Sequence, residues 1–205
     1  MLETERLLLR PWRADDVDPF VAINADPAVT EFLPGPVSAD AARALFARQN
    51  ALYAQHGTCY FAAQLKGTAE LVGFVGVKYV DGGLPFAPCF EVGWRLGSAW
   101  WGCGLATEGA RAALRHGFDT LGLDEIVSFT VPANVRSRRV MERLGMVRDL
   151  DGDFDHPALP SAHRLARHVL YRLKSGDRRK SEASQHKIQS GTASDAAKLS
   201  ARSPG

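Results

Sequence analysis

Three short stretches of this sequence combine residue types at spacings that suit chemistry. The first is Trp100-Trp101-Gly102-Cys103-Gly104-Leu105-Ala106-Thr107-Glu108. Two glycines one residue apart let the backbone turn tightly and approach a ligand, because neither has a Cβ in the way. A run with helical character follows from Leu105 to Asp119. The first N–H groups of a helix have no partner within it, and the helix dipole adds partial positive charge at that end. A glycine turn that opens a helix is therefore a site for phosphate. The second stretch is Phe90 to Leu96, a strand-like apolar run that contains the acid Glu91. A carboxylate among apolar residues needs a reason, and service as a general base is one. A position at the sheet edge, paired with an arginine such as Arg95, is the other. The third stretch is Asn134-x-x-Ser137, at the head of a predicted helix. Asn134 suits a helix cap or a ligand contact, and Ser137 suits a local backbone bond or a proton donor.

Phosphate sites come in several kinds. A P-loop is excluded, because no Gly-Lys-Ser/Thr follows the glycines. A dinucleotide site fits Gly102-x-Gly104, and Asp124 lies about 20 residues on, where a ribose-binding acid sits in such folds. Against it, Thr107 occupies the third glycine position, and the preceding chain has an antiparallel pattern.

The elements that would hold these groups can be read in order. Glu3–Arg10 reads as a strand closed by Pro11. Ala14-Asp15-Asp16 opens a helix with Val17, Phe20 and Ile23 on one face. Ser38 caps a second helix that runs to about Gln55 and stops at Gly57. Strands at Thr58–Leu65 and Glu70–Val80, joined by Lys66-Gly67, form a hairpin. Residues 81–88 form a loop, and Phe90–Leu96 is the strand that feeds the glycine turn. The helix after the turn leads to a strand at Glu125–Val131, and a strand–helix–strand unit makes a parallel pair. A helix at Val135–Leu144 ends at Gly145. Met146–Leu150 is a short strand, Asp151–Ala166 a loop, and Arg167–Lys174 the last strand. The pattern is α+β: a mixed, mostly antiparallel sheet of about seven strands with about four helices.

Composition narrows the function classes. The 205 residues suffice for one domain with a full core, and 45% hydrophobic with 23% charged residues is ordinary for a globular protein. The net charge of +2 comes from the end of the chain. Residues 175–205 carry six Lys/Arg against three Asp/Glu, leaving residues 1–174 with 19 against 20. No basic field points to nucleic acid. No apolar run has the length of a membrane span, and the opening residues lack the basic-then-apolar order of a secretory signal, so the expected compartment is the cytoplasm. Cys59, Cys89 and Cys103 are too few and too widely spaced for a disulfide framework, and no zinc spacing is present, so no metal is expected. Residues 175–205 lack aromatic residues and are expected to be disordered, which places the domain at 1–174.

Residues 101–108, Trp-Gly-x-Gly-x-Ala-Thr-Glu, resemble the coenzyme A pyrophosphate motif of the GNAT acetyltransferase superfamily, in its ribosomal-protein N-terminal acetyltransferase-like branch. The likeness extends to Thr4-Glu5-Arg6-Leu7, to Glu91-Val92-Gly93-Trp94, to Asn134-x-x-Ser137 with Leu144-Gly145-Met146, and to His168-Val-Leu-Tyr171. Two positions depart from the pattern. Ala99 stands where the family usually has Gln or Arg, and Met141 stands where many relatives have the Tyr that protonates the thiolate.

The resemblance implies an α/β/α fold and acetyl transfer from acetyl-CoA to a primary amine by direct attack. The amine belongs to a protein N-terminus, an amino acid or a small molecule. Backbone N–H groups of Trp101, Gly102, Cys103, Gly104, Leu105 and Ala106 would hold the pyrophosphate. Trp94, Arg95 and Leu96 would line the splay between the family's fourth and fifth strands, where a free N–H meets the oxyanion. Asn134 would bond the pantetheine arm, Arg139 the adenosine phosphate. Glu91 is the expected base, directly or through water, and Ser137 the expected donor to the thiolate. The other reading of the same fold is a non-catalytic acyl-CoA-binding module. No nucleic acid or membrane partner is implied, and the chain is expected as a monomer or homodimer.

Other residues carry plainer readings. Glu108 reads as a structural acid in the first helical turn, and Cys103 as a small filler that lacks a base partner. His163 and His168 are substrate-side candidates, His168 reading more simply as a structural histidine. Arg136, Arg138, Arg139 and Arg143 crowd one helix, as one ligand contact among solvated charges. Trp94, Trp100 and Trp101 would line the pantetheine channel or pack on the core. Asp15, Asp16, Asp151, Asp153 and Asp155 could attract a cationic amine.

Overall fold

The computed structural model describes residues 1–68 and 70–177. Its first strands are β1 (Leu2–Glu3) and β2 (Leu7–Arg10). The single strand expected over 3–10 is broken by Thr4. The Leu7 N–H donates to the Thr4 hydroxyl at 2.8 Å, and the Thr4 N–H donates to the Leu7 carbonyl at 2.9 Å. This side-chain turn folds β1 back on β2 and accounts for one strand more than expected.

Arg10 and Asp16, both buried, form a two-bond ion pair at 2.7 Å and 2.7 Å that sets the entry to α1 (Val17–Ala25). The Asp26 carboxylate caps the short α2 (Pro27–Thr30), with Pro27 at its first position. Ser38 caps α3 (Ala39–His56), and Gly57 ends it in the left-handed region.

The strands β3 (Tyr60–Leu65), β4 (Leu71–Val80) and β5 (Cys89–Leu96) form an antiparallel meander. Then α4 (Leu105–Arg115) crosses to β6 (Glu125–Thr130), after a wider helical turn at His116–Thr120. α5 (Val135–Arg143), β7 (Val147–Asp155) and β8 (Arg167–Lys174) complete the fold. The sheet order is β1-β2-β3-β4-β5-β6-β8-β7. Every neighbouring pair is antiparallel except β5 and β6, whose parallel register consists of one pair, Glu91↔Val127. Beyond it the two strands part.

Each face of the sheet has its own core. On one, Leu7, Phe61, Val75, Val92 and Ile126 pack under α4 and α5. On the other, Trp12, Phe20, Phe46, Tyr60 and Phe74 pack under α1 and α3. Trp12 stacks on Phe46 at 4.0 Å and meets the edge of Phe20 at 5.2 Å. Phe20 is fully buried, which contributes about 2–3 kcal/mol.

The region after Leu150 departs from expectation. The loop expected from Asp151 is strand up to Asp155, with a register irregularity between Asp149 and Phe154. Its acids read as loop, yet several are paired. Asp153 meets Arg148 at 2.7 Å, Asp155 meets Arg167 at 3.4 Å, and Asp149 meets Arg172 at 2.7 Å. With Asp16 bound to Arg10, three of the five acids considered for amine attraction are already occupied. At the end of β8 the Ser175 N–H donates to the Asp124 carbonyl at 2.9 Å. The disorder expected over 175–205 falls, beyond Asp177, outside the described residues. Among the described residues, no helix is long and apolar enough to cross a membrane, and no cluster of three or more His, Cys, Asp or Glu could hold a metal ion.

Candidate active site

The glycine turn forms as its residue types require. Gly102 and Gly104 have φ of 80° and 83°, the left-handed region that side chains with a Cβ avoid. Gly104 is the N-cap of α4, so the next N–H groups point out of the helix end. Cys103 is exposed, and its thiol donates to the Trp100 carbonyl at 3.1 Å.

The turn is anchored from the far end of the chain. Arg6 Nη1 donates to the Cys103 carbonyl at 2.9 Å, and Arg6 Nε donates to Glu108 at 2.7 Å. The Thr4 hydroxyl and the Arg6 N–H donate to the same carboxylate at 2.6 Å and 2.8 Å. Burial raises the Glu108 pKa, but the bonds from Thr4 and Arg6 outweigh it and hold the carboxyl below its ordinary value. Glu108 is structural, as read. What the sequence reading missed is its partner set: Thr4 and Arg6 were part of a resemblance without a role.

Strand β5 carries the next group. Gly97 N–H donates to the Val72 carbonyl at 3.0 Å. Antiparallel alternation then turns the backbone groups of Arg95, Gly93 and Glu91 towards β4, and those of Trp94 and Leu96 away from it. Leu96 agrees: its carbonyl accepts from Trp101 Nε1 at 2.8 Å on that side. Since β6 has already parted, the Trp94 N–H faces the gap.

Side chains alternate too, so Glu91, Gly93 and Arg95 share one face. Glu91 is buried, at 8% exposure. Its partner is Lys78, with Nζ 3.2 Å from Oε2, and not Arg95. The approach makes an ion pair without hydrogen-bond geometry, and Oε2 is a buried oxygen with no hydrogen-bond donor among the described residues. Tyr60 lies beside it. Burial, and then the charge and hydrogen bond of Glu91, push its phenol well above the ordinary value. Gly93 makes room for that phenol, because a Cβ there would stand 2.5 Å from the Tyr60 oxygen.

These groups open on one cleft of about 620 Å³ between the parted strands. Glu91, Trp94, Arg95, Leu96, Trp101, Gly102, Gly104, Leu105, Ala106, Asn134, Ser137 and Arg139 all line it. Of the residues expected to act in catalysis or to hold the donor, Cys103 is the one that does not. Asn134 caps α5: its Oδ1 accepts from the Ser137 N–H at 3.1 Å, and its Nδ2 donates to the Thr130 hydroxyl at 3.1 Å. Position 141 is a buried Met and offers no donor. Arg138 is turned to the Pro132 carbonyl at 3.1 Å. Arg136 reaches across to Glu31 at 2.6 Å and lies 4.5 Å over the Trp101 ring. Arg139 and Arg143 stand exposed at the cleft.

The cleft also holds a histidine pair that spacing did not suggest. The rings of His156 and His168 lie 5.2 Å apart, and His168 stacks on Phe154. His168 Nδ1 meets the Ala166 carbonyl at 3.0 Å. A carbonyl only accepts, so Nδ1 carries the proton and Nε2 is the acceptor. Burial is the main cause that pulls the His168 pKa below its ordinary value. His163 accepts from the Leu165 N–H at 3.1 Å and does not line the cleft.

A glycine turn at a helix start, a parted parallel pair and a cleft between them suit a donor that carries phosphate, as coenzyme A thioesters do. Comparison with known proteins agrees. Residues 6–147 match the acetyltransferase (GNAT) domain family. The uncharacterized N-acetyltransferase p20 of Bacillus licheniformis is 30% identical over 157 residues, which cover 73% of this chain and 86% of that protein. A GNAT-family acetyltransferase from Bacillus anthracis superposes with a TM-score of 0.71 at 26% identity, covering 85% of this chain and 98% of that one. RimJ of Mycobacterium smegmatis, solved with a coenzyme A disulfide, shares the fold with a TM-score of 0.65 at 22% identity, over 86% and 89% of the two chains. The chain belongs to the GNAT family and is an acetyl-CoA-dependent acetyltransferase.

Proposed function

We propose that the acceptor is a primary amine, that it attacks the thioester directly, and that Glu91 takes its proton, directly or through one water. The observation that carries this reading is the buried Glu91 carboxylate on the wall of the cleft, whose Oε2 has the Lys78 ammonium 3.2 Å away but accepts no hydrogen bond. An acceptor oxygen left open in a buried site invites a proton from water or substrate. The amine nitrogen bonds to the carbonyl carbon, and the oxyanion that forms meets the Trp94 N–H. As the intermediate collapses, the carbon–sulfur bond breaks. The thiolate collects a proton from water or from the Ser137 hydroxyl, which regains one from water, Glu91 returns its proton to solvent, and amide and free coenzyme A leave.

The donor lies along the same cleft in this reading. Backbone N–H groups from Trp101 to Ala106 hold its pyrophosphate. Asn134, with a second amide hydrogen to spare, bonds the pantetheine arm, and Arg139 meets the adenosine phosphate. RimJ of Mycobacterium smegmatis, captured with a coenzyme A disulfide on the same fold, supports a coenzyme A site here.

The test is an amine panel with acetyl-CoA and detection of the released thiol. Glu91→Gln should lower kcat by about 10²-fold or more. Ser137→Ala should lower it by roughly 3–10-fold, less because water can replace a hydroxyl. Neither should change acetyl-CoA affinity. Unchanged kcat in Glu91→Gln would remove Glu91 as the base.

A further inference from the structure

Arg95 is a charge without a counter-charge. Its Nη1 donates to Asn24 Oδ1 at 2.6 Å, and its guanidinium lies 5.4 Å over the Phe74 ring. Asn24 is fully buried, and its own Nδ2 donates to the Phe20 carbonyl at 2.7 Å. That second bond fixes the amide so that its oxygen must face Arg95. A guanidinium has five N–H donors, and the neutral Asn24 takes one. Among the described residues, no carboxylate pairs with Arg95. A cation withdrawn from water without an opposite charge is unfavourable. Burial accordingly pulls the Arg95 pKa down to about 10.

The position of this cation matters. Arg95 lines the main cleft, and it also lines a smaller pocket formed with Leu33–Val37, the segment between α2 and α3. It follows Trp94, whose N–H faces the gap, and its side chain shares a face with Glu91. Along a strand, residues two apart are about 6.6 Å apart, so Glu91 and Arg95 flank Gly93 at roughly that distance on each side. The opposite case stands on the same face: Lys78 is also a cation at the cleft, but Glu91 already neutralises it.

We propose that Arg95 anchors an anionic group of the acceptor, so that the acceptor is a small amine that also carries a carboxylate or similar oxyanion within a few bonds, as a free amino acid does. This rests on acetyl transfer to an amine in the same cleft. The amine faces Glu91 and the gap beside Trp94, while the carboxylate meets the guanidinium donors that Asn24 leaves open. Asn24 is the positioning residue that holds the fork in place.

The experiment compares matched acceptors: a panel of free amino acids, each beside its own carboxamide, with acetyl-CoA and thiol release as the readout. For the amino acids that are acetylated, kcat/KM should exceed that of the carboxamide by about tenfold or more, the discrimination expected from a charge-assisted pair. Arg95→Met should bring acid and amide to within about threefold, and Arg95→Lys should fall between, with KM for acetyl-CoA unchanged within about twofold. A purely structural arginine would lower both substrates together and leave their ratio alone. Amides turned over as well as acids by the wild type would overturn the proposal and leave acetyl transfer to amines standing. A preference retained in Arg95→Met would do the same. If that variant does not fold, the wild-type ratio and Arg95→Lys decide. No turnover of any amino acid or its carboxamide, with a peptide N-terminus or a simple alkylamine still acetylated, would overturn this proposal and leave the amine reading standing, whereas no turnover of any amine, with acetyl-CoA still raising the melting temperature, would sink both.

Discussion

At the scale of single residues, burial and partners separate the chemical groups from the structural ones. Glu91 and Glu108 are both acids next to the cleft, with opposite surroundings. Glu108 receives bonds from Thr4 and Arg6, while Glu91 keeps an oxygen without a donor. His168 shows the same logic for a base. It is neutral in the folded protein at pH values where a solvated histidine is charged, because burial disfavours the imidazolium. The sign follows: with the folded pKa below the ordinary 6.5, the unfolded chain binds the proton first as pH falls. Stability is then lost as pH drops through about 6.5 towards the lowered folded value. Denaturant midpoints measured between about pH 7.5 and pH 5 should fall less steeply for His168→Asn than for the wild type. Equal slopes would show that His168 does not titrate differently in the two states. The Tyr60 phenol and the Glu91–Lys78 pair are the groups that the sequence reading left out. The signal for the second was present: the loop at 81–88 joins β4 to β5 so that Val80 faces Cys89, and counting back sets Lys78 opposite Glu91. Arg95, the partner that the sequence suggests, lies four residues along the same strand, where side chains share a face but stand too far apart.

At the scale of elements, the glycine turn depends on a segment about a hundred residues away. Arg6 holds the Cys103 carbonyl and the Glu108 carboxylate together, and so fixes the backbone whose N–H groups are proposed to meet phosphate. Arg6→Ala should raise KM for acetyl-CoA several-fold and lower stability by roughly 1–2 kcal/mol, with kcat little changed. Steady-state kinetics and a denaturant titration would check both, and an unaltered KM would mean the turn holds its shape alone. The carboxylate side has a pH window: the Glu108 pKa is depressed, so its contribution is present above the ordinary 4.5 and is lost as pH falls further. Most elements were legible because local chemistry dictates them: Ser38 and Gly57 bound α3, and Asn134 caps α5. Two were not. Glu3–Arg10 was read as one strand because a hydroxyl-driven turn at Thr4 leaves no glycine or proline behind. Asp151–Asp155 reads as loop in the sequence because an edge strand paired on one side can carry acids on alternate positions, provided arginines such as Arg148 and Arg167 answer them.

At the scale of the molecule, the sheet is two antiparallel blocks joined by one parallel register pair, Glu91↔Val127. The strand–helix–strand order made that junction legible in the sequence; how far the strands part was not, since it depends on β8 pairing with β6 from the far end of the chain. A donor lying between the blocks touches β5, the turn and α5 together, so its binding should tie them. A ligand that binds only the folded state at about 100 times its Kd adds roughly 2.7 kcal/mol. For a domain of this size that corresponds to a rise in melting temperature of about 5–10 °C. Cys103 supplies a second readout, because it sits in the turn and is exposed, whereas Cys59 is buried with its thiol pushed up to about 12, chiefly by burial, and Cys89 is only partly exposed with its thiol pushed up to about 11 for the same main reason. Iodoacetamide near neutral pH should therefore label Cys103 first. Acetyl-CoA, whose thiol is blocked, should slow that labelling several-fold by ordering the turn that carries Cys103, since the Cys103 side chain itself stands outside the cleft, while leaving Cys89 unaffected, as read by peptide mass spectrometry. Stabilisation with Cys103 labelled as fast as before would show that the donor does not order the Gly102–Gly104 turn, and would count against the pyrophosphate resting on its N–H groups.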